Sequence, residues 1–251
     1  MLSEPMRTKF DWNFELFNFP VRISCWFWLA AIVLGSNGNP RTVLAWVVAV
    51  FISILIHELG HAFAFRHFGV SSRIVLYHFG GLAVPDSYGS MGGRVNRANR
   101  PRNSMIISAA GPALQILSAV ALFLILRAGG YAVPNPFNFL DHLVPIEPTR
   151  VLQNEMIRNF IGQYMFISIF WALLNLLPIY PLDGGQIARD LFILFGGGDG
   201  LPKSLILSTC TGAGVAVYGF SRGMPFLAIM FAMLAYSSYQ ALQAYTGHRR
   251  L

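Results

Sequence analysis

The chain has 251 residues, of which 55% are hydrophobic and only 12% charged, with a formal net charge of +7. Soluble domains carry about a quarter charged residues, so this composition argues against a water-soluble enzyme and for a polytopic membrane bundle. The basic excess would suit nucleic acid, but in membrane chains Lys and Arg gather in cytoplasmic loops, so lipid and not nucleic acid is the expected neighbour.

Six spans are expected in chain order, at about 21–36, 42–69, 104–127, 157–180, 203–220 and 224–245. The leader before the first holds Glu4, Asp11 and Glu15, a poor start for a signal peptide, so 21–36 is kept as a span. After the second span, two short apolar runs flank Gly80-Gly81, which predicts a membrane-associated β-hairpin over 73–85. Along the third span Ser104, Ser108, Gly111, Gln115 and Ser118 recur at helical spacing, a stripe expected to face the bundle interior. Only Ser221-Arg222-Gly223 separates the last two spans, which therefore read as a tight helical hairpin. The expected fold class is all-α polytopic, about six transmembrane helices with one small hairpin, in a single domain over 1–251.

Orientation follows from the arginines. Arg73, Arg94, Arg97, Arg100 and Arg102 follow the second span, whereas Asp141, Glu147 and Glu155 cluster after the third. Arg7 and Lys9 precede the first span and Arg249 and Arg250 follow the last, so both termini are expected to be cytoplasmic, in a bacterial-type cytoplasmic membrane. Cys25 and Cys210 make no metal pair and no disulfide framework; core packing is expected of each.

The second span carries the chemistry. His57, Glu58 and His61 stand in the order His-Glu-Leu-Gly-His inside a long apolar run. Histidines four apart share one helix face, at a spacing that can hold zinc, and the adjacent glutamate can serve as base toward a water activated by the metal. His57 lies fourteen residues past Val43, about 21 Å along a helix, somewhat below the cytoplasmic surface. A catalytic zinc needs a third protein ligand. His67 faces away from His61, and Asp141, His142, Glu147 and Glu155 belong to the opposite side, while topology alone does not exclude His78 or Asp86. Asp183 is the strongest candidate. It follows Pro178 and Pro181 at the end of the fourth span, which runs in the same direction as the second, and precedes Gly184-Gly185. The plainer reading of Asp183 alone is a turn residue; beside the paired histidines the ligand reading prevails. Asn175, two turns earlier, can meet substrate backbone or a developing oxyanion, or bond between helices.

These residues resemble the site-2 protease family of intramembrane zinc metalloproteases. The resemblance rests on His57-Glu58-Leu59-Gly60-His61, on Asn175 and Pro178 leading to Leu182-Asp183-Gly184-Gly185, and more softly on Ala110-Gly111-Pro112. It implies one zinc held by His57, His61 and Asp183, with Glu58 as catalytic acid and base. It further implies a membrane-protein substrate with a transmembrane segment and an active site towards the cytoplasmic side. Many members have Asn where this chain has Gln115, a departure that touches hydrogen bonding or packing. The connection 128–156 is too short for a PDZ insertion and no CBS domain follows, so a minimal form is expected. Competing readings are an ion or solute transporter using the same intramembrane groups, an inactive zinc scaffold, and a protease of the prenyl-protein type. The last would need a downstream glutamate, and Glu155 is the final one.

Overall fold

The computed structural model describes residues 6–36, 39–78, 80–86, 98–134, 148–196 and 199–248. Arg94, Arg97, Asp141, His142, Glu147, Arg249 and Arg250 lie outside the described residues. The described elements run β1 (Trp12–Leu16), β2 (Phe19–Ile23), α1 (Cys25–Gly35), α2 (Pro40–His67), β3 (Ser72–Tyr77) and β4 (Gly80–Pro85). There follow α3 (Pro101–Ala128), α4 (Glu155–Asn175), α5 (Asp183–Gly196), α6 (Gly200–Ser221) and α7 (Pro225–His248). Two compact units result, one of residues 3–92 and 110–172, the other of 1–2, 93–109 and 173–251.

Five helices, α2, α3, α4, α6 and α7, are long and apolar enough to cross a membrane. They match five of the six expected spans. The first expected span, 21–36, divides instead into strand β2 and the 11-residue helix α1. At 1.5 Å per residue α1 covers only about 16 Å of a roughly 30 Å hydrocarbon layer. A continuous apolar run does not say where strand ends and helix begins; here Val21, Arg22 and Ile23 are claimed by parallel pairing with Ile74, Val75 and Leu76.

In the first unit a four-stranded sheet, ordered β1-β2-β3-β4, packs on α2. The expected hairpin over 73–85 is present as antiparallel β3–β4, with Leu76 opposite Gly81, and β4 is an edge of the sheet. A second hairpin, β1–β2, was not expected. Its turn residues Phe17 and Asn18 both have positive φ, 52° and 61°, as a two-residue hairpin of right-handed twist demands. Phe19, Val21, Ile23, Ile74 and Leu76 pack against Ile54, Leu55 and Leu59 of α2 in one apolar cluster. A second cluster joins Ala49 of α2, Ala119 and Phe123 of α3, and Ile161, Met165 and Ile169 of α4.

Helix α2 is bounded by local chemistry. The Asn39 side chain accepts from the Arg41 N–H at its start, with Pro40 in the first turn, where no helical donor is needed. At its end Gly69 takes φ 75°, and the Gly69 and Val70 amides donate to Arg66 and Phe65 carbonyls, which stops the helix and turns the chain into β3.

In the other unit α5 follows α4 after a broken segment at 176–182. A Cβ on Gly184 would overlap the Leu176 carbonyl, and one on Gly185 would overlap the backbone at Ile179 and Tyr180. The glycines are there because α5 starts in backbone contact with that turn. Ser208 of α6 accepts from the Tyr180 N–H at 3.1 Å, and Ser238 of α7 donates to the Tyr180 carbonyl at 3.1 Å. Cys210 is exposed on α6 and does not serve the core packing expected of it, whereas Cys25 is half-buried with its Sγ 3.8 Å from Thr8 Oγ1. In a membrane bundle an outward apolar side chain is solvated by lipid tails and needs no protein core.

Candidate metal centre

The centre is built on α2 at Ser53, His57 and His61, positions i, i+4 and i+8 on one helix face. All three are buried, as is Glu58, at 4% exposure. The His57 and His61 Nε2 atoms face each other at 3.1 Å. Two nitrogens bound to a tetrahedral zinc at 2.0–2.1 Å stand roughly 3.3 Å apart, so the pair presents its lone pairs at a separation that suits the ion.

The His57 Nδ1 lies 2.9 Å from Gln115 Oε1 on α3. An amide oxygen only accepts, so Nδ1 carries the proton and Nε2 is left bare for a metal. Gln115 Nε2 in turn donates to Ser53 Oγ at 2.8 Å, and Ser53 Oγ lies 2.9 Å from Ser168 Oγ of α4. Ser118, one turn beyond Gln115, donates to the Gln115 carbonyl at 2.7 Å and lies 2.6 Å from the Tyr164 hydroxyl. At Gln115 and Ser118 the expected inward stripe of α3 is therefore a hydrogen-bonded seam. Its departure at Gln115 bears directly on a candidate ligand.

Close backbone approach shapes the rest. A Cβ on Gly111 would overlap the His61 imidazole, and one on Gly60 would overlap the backbone at Ala110. Gly60 thus serves close helix packing beside the histidines, and Ala110-Gly111-Pro112 is the place where α3 makes room for His61. A Cβ on Gly81 would overlap the Glu58 carboxylate, so edge strand β4 passes its bare backbone over that group. Tyr77, which ends β3, is buried; burial, and then the charge of Glu58, pushes its phenol above the usual value and keeps it neutral.

Asp183 is buried and opens α5, within the other unit. Asn175 is the last residue of α4, half-buried. His67 is exposed at the end of α2 and His78 is exposed at the β3–β4 turn. Asp86 is ion-paired with Arg73 across the end of that hairpin. Ser53 and Ser168 were not singled out by sequence, and Gly81 only as part of the expected hairpin; of the two serines only Ser53, one turn before His57, carried a usable signal.

The sequence profile of peptidase family M50 matches residues 45–198, from α2 through α5. A zinc metalloprotease of Methanocaldococcus jannaschii is 24% identical over 182 residues, covering 71% of this chain and 44% of that protein. A Synechocystis protein provisionally named a zinc metalloprotease is 28% identical over 181 residues, covering 71% of this chain and 39% of its own length. The chain thus spans less than half the length of these curated relatives. Among solved structures, the site-2 protease from Methanocaldococcus jannaschii shares the fold, with a TM-score of 0.53 at 19% identity, over 93% of this chain and 95% of that one. With the profile covering more than half of the sequence, the chain belongs to peptidase family M50 and is an integral membrane protein with the fold of a site-2 protease.

Proposed function

We propose that this chain is a zinc-dependent intramembrane endopeptidase, working as a single domain, that hydrolyses peptide bonds in or near transmembrane segments of other membrane proteins. The observation that carries the reading is the buried His57–His61 pair, with Nε2 atoms facing at 3.1 Å beside a buried Glu58, in a member of peptidase family M50. We assign His57, His61 and Asp183 as the ligands of one zinc. Asp183 is supported by its burial, by its offer of one carboxylate oxygen, and by the shared direction of the second and fourth sequence spans. A buried carboxylate in a membrane bundle needs a cationic partner, and a metal is one.

Zinc at this position supplies Lewis acidity toward water and the scissile carbonyl. Glu58 takes the proton of the attacking water and delivers it to the leaving amine. The substrate must be extended for this, because a helix shields its peptide bonds. Among the described residues β4 is an edge strand beside Glu58, and a substrate added there as a further strand would bring its backbone to the base. Asn175 is assigned to the substrate backbone. We assign the C-terminus to the cytoplasm and, because β2 pairs with β3 beyond the end of α2, the N-terminal strands to the same side, with the active site opening there.

The test is co-expression of wild type or Glu58→Gln with candidate single-span proteins, reading truncated membrane proteins by mass spectrometry. Truncated products with released cytoplasmic ends are expected with wild type alone, while the variant retains zinc. Equal cleavage by Glu58→Gln would remove the role assigned to Glu58. Substrate-dependent flux through liposomes without any cleavage would favour a transporter.

A further inference from the structure

We propose that Gln115 is the positioning residue for the metal-bearing imidazole of His57, held in one amide orientation by Ser53 and Ser168. The proposal rests on the zinc reading above and extends it to residues outside the ligand set.

Three contacts form a chain inside the first unit: His57 Nδ1 to Gln115 Oε1 at 2.9 Å, Gln115 Nε2 to Ser53 Oγ at 2.8 Å, and Ser53 Oγ to Ser168 Oγ at 2.9 Å. Ser53, Gln115 and Ser168 are each 0% exposed, so no water competes for these bonds. The chain has two proton orders. In one, Nδ1–H donates to the amide oxygen, the amide nitrogen donates to Ser53, and Ser53 donates to Ser168; Nε2 of His57 is then bare. In the other, the amide is flipped and donates to Nδ1, and the proton moves to Nε2, between the two imidazoles where the ion belongs. Metal binding through Nε2 therefore selects the first order, and the first order presents the site for metal. Each serine links to a different helix, so α2, α3 and α4 all fix the ring plane of His57.

The residue type has a reason. A carboxylate in this position would bury a negative charge in a dry bundle, at a desolvation cost that an amide avoids. Gln reaches one methylene further than Asn, and the 2.9 Å contact uses that reach.

The experiment measures zinc loss from detergent-purified protein to a chromogenic chelator, alongside thermal unfolding. Gln115→Leu is expected to weaken zinc retention by about 10–100-fold, the usual range for lost orienting partners. Gln115→Glu, which keeps an acceptor for Nδ1–H, is expected to recover most of it, and Ser53→Ala to fall between. Gln115→Asn, a smaller disturbance if leucine unfolds the bundle, is expected to lose zinc because its amide falls short. Folded Gln115→Leu or Gln115→Asn holding zinc like wild type, or Gln115→Glu no better than Gln115→Leu, would overturn the assignment. In those cases wild type still binds zinc and the protease reading stands; a folded wild type that binds no zinc overturns both.

Discussion

At the residue scale the centre depends on what is absent as much as on what is present. Gly111 gives His61 its space, and Gly81 gives Glu58 a bare backbone to lie against. Alanine at 111 would drive a methyl into the imidazole, and because the other contacts at this crossing are backbone, the ring must move. We expect Gly111→Ala to keep the bundle folded but to weaken zinc binding by about tenfold or more, as displaced ligand geometry does elsewhere. Chelator competition checks this; retention equal to wild type would mean the ring has another place to go. His57, Glu58 and His61 were legible in the sequence because one helix face brings them together without help from the rest of the chain. The Ser53–Ser168 contact joins residues 115 apart, and nothing local encodes it. Gln115 stood between these cases: visible as a departure from the family pattern, its partner visible only in three dimensions.

At the element scale the sheet explains why a protease helix needs strands. Strand β4 pairs on one side with β3 and, among the described residues, has no strand on its other edge, where the proposed substrate strand would add beside Glu58. Along an edge strand successive N–H groups alternate between the paired and the open side. Proline at Leu82 and at Ala83 should therefore differ. The substitution at the inward N–H disrupts the hairpin. The one at the outward N–H leaves fold and zinc intact, yet lowers cleavage roughly five- to tenfold through one lost backbone hydrogen bond. Identical cleavage by both folded variants and wild type would remove substrate addition at this edge. The β3–β4 hairpin could be read from two apolar runs around Gly80-Gly81, whereas β1–β2 was hidden. Trp12, Phe14 and Leu16 do alternate with polar residues, but β2 runs into α1 through mostly apolar sequence broken only at Arg22 and Ser24, and a mistaken span absorbed it.

At the scale of the whole molecule, five of the described helices are long enough to cross a membrane in a member of peptidase family M50, and the function proposed above has two histidines and a carboxylate share one ion. The direct test of that claim is zinc-edge X-ray absorption on purified, folded protein, with Asp183→Ala measured beside wild type. The account predicts one zinc per chain, with two imidazole nitrogens and oxygen ligands at about 2.0–2.1 Å, no sulfur, and weaker zinc binding with fewer oxygens in the variant. Sulfur scattering, or an unchanged shell and affinity in Asp183→Ala, would contradict it.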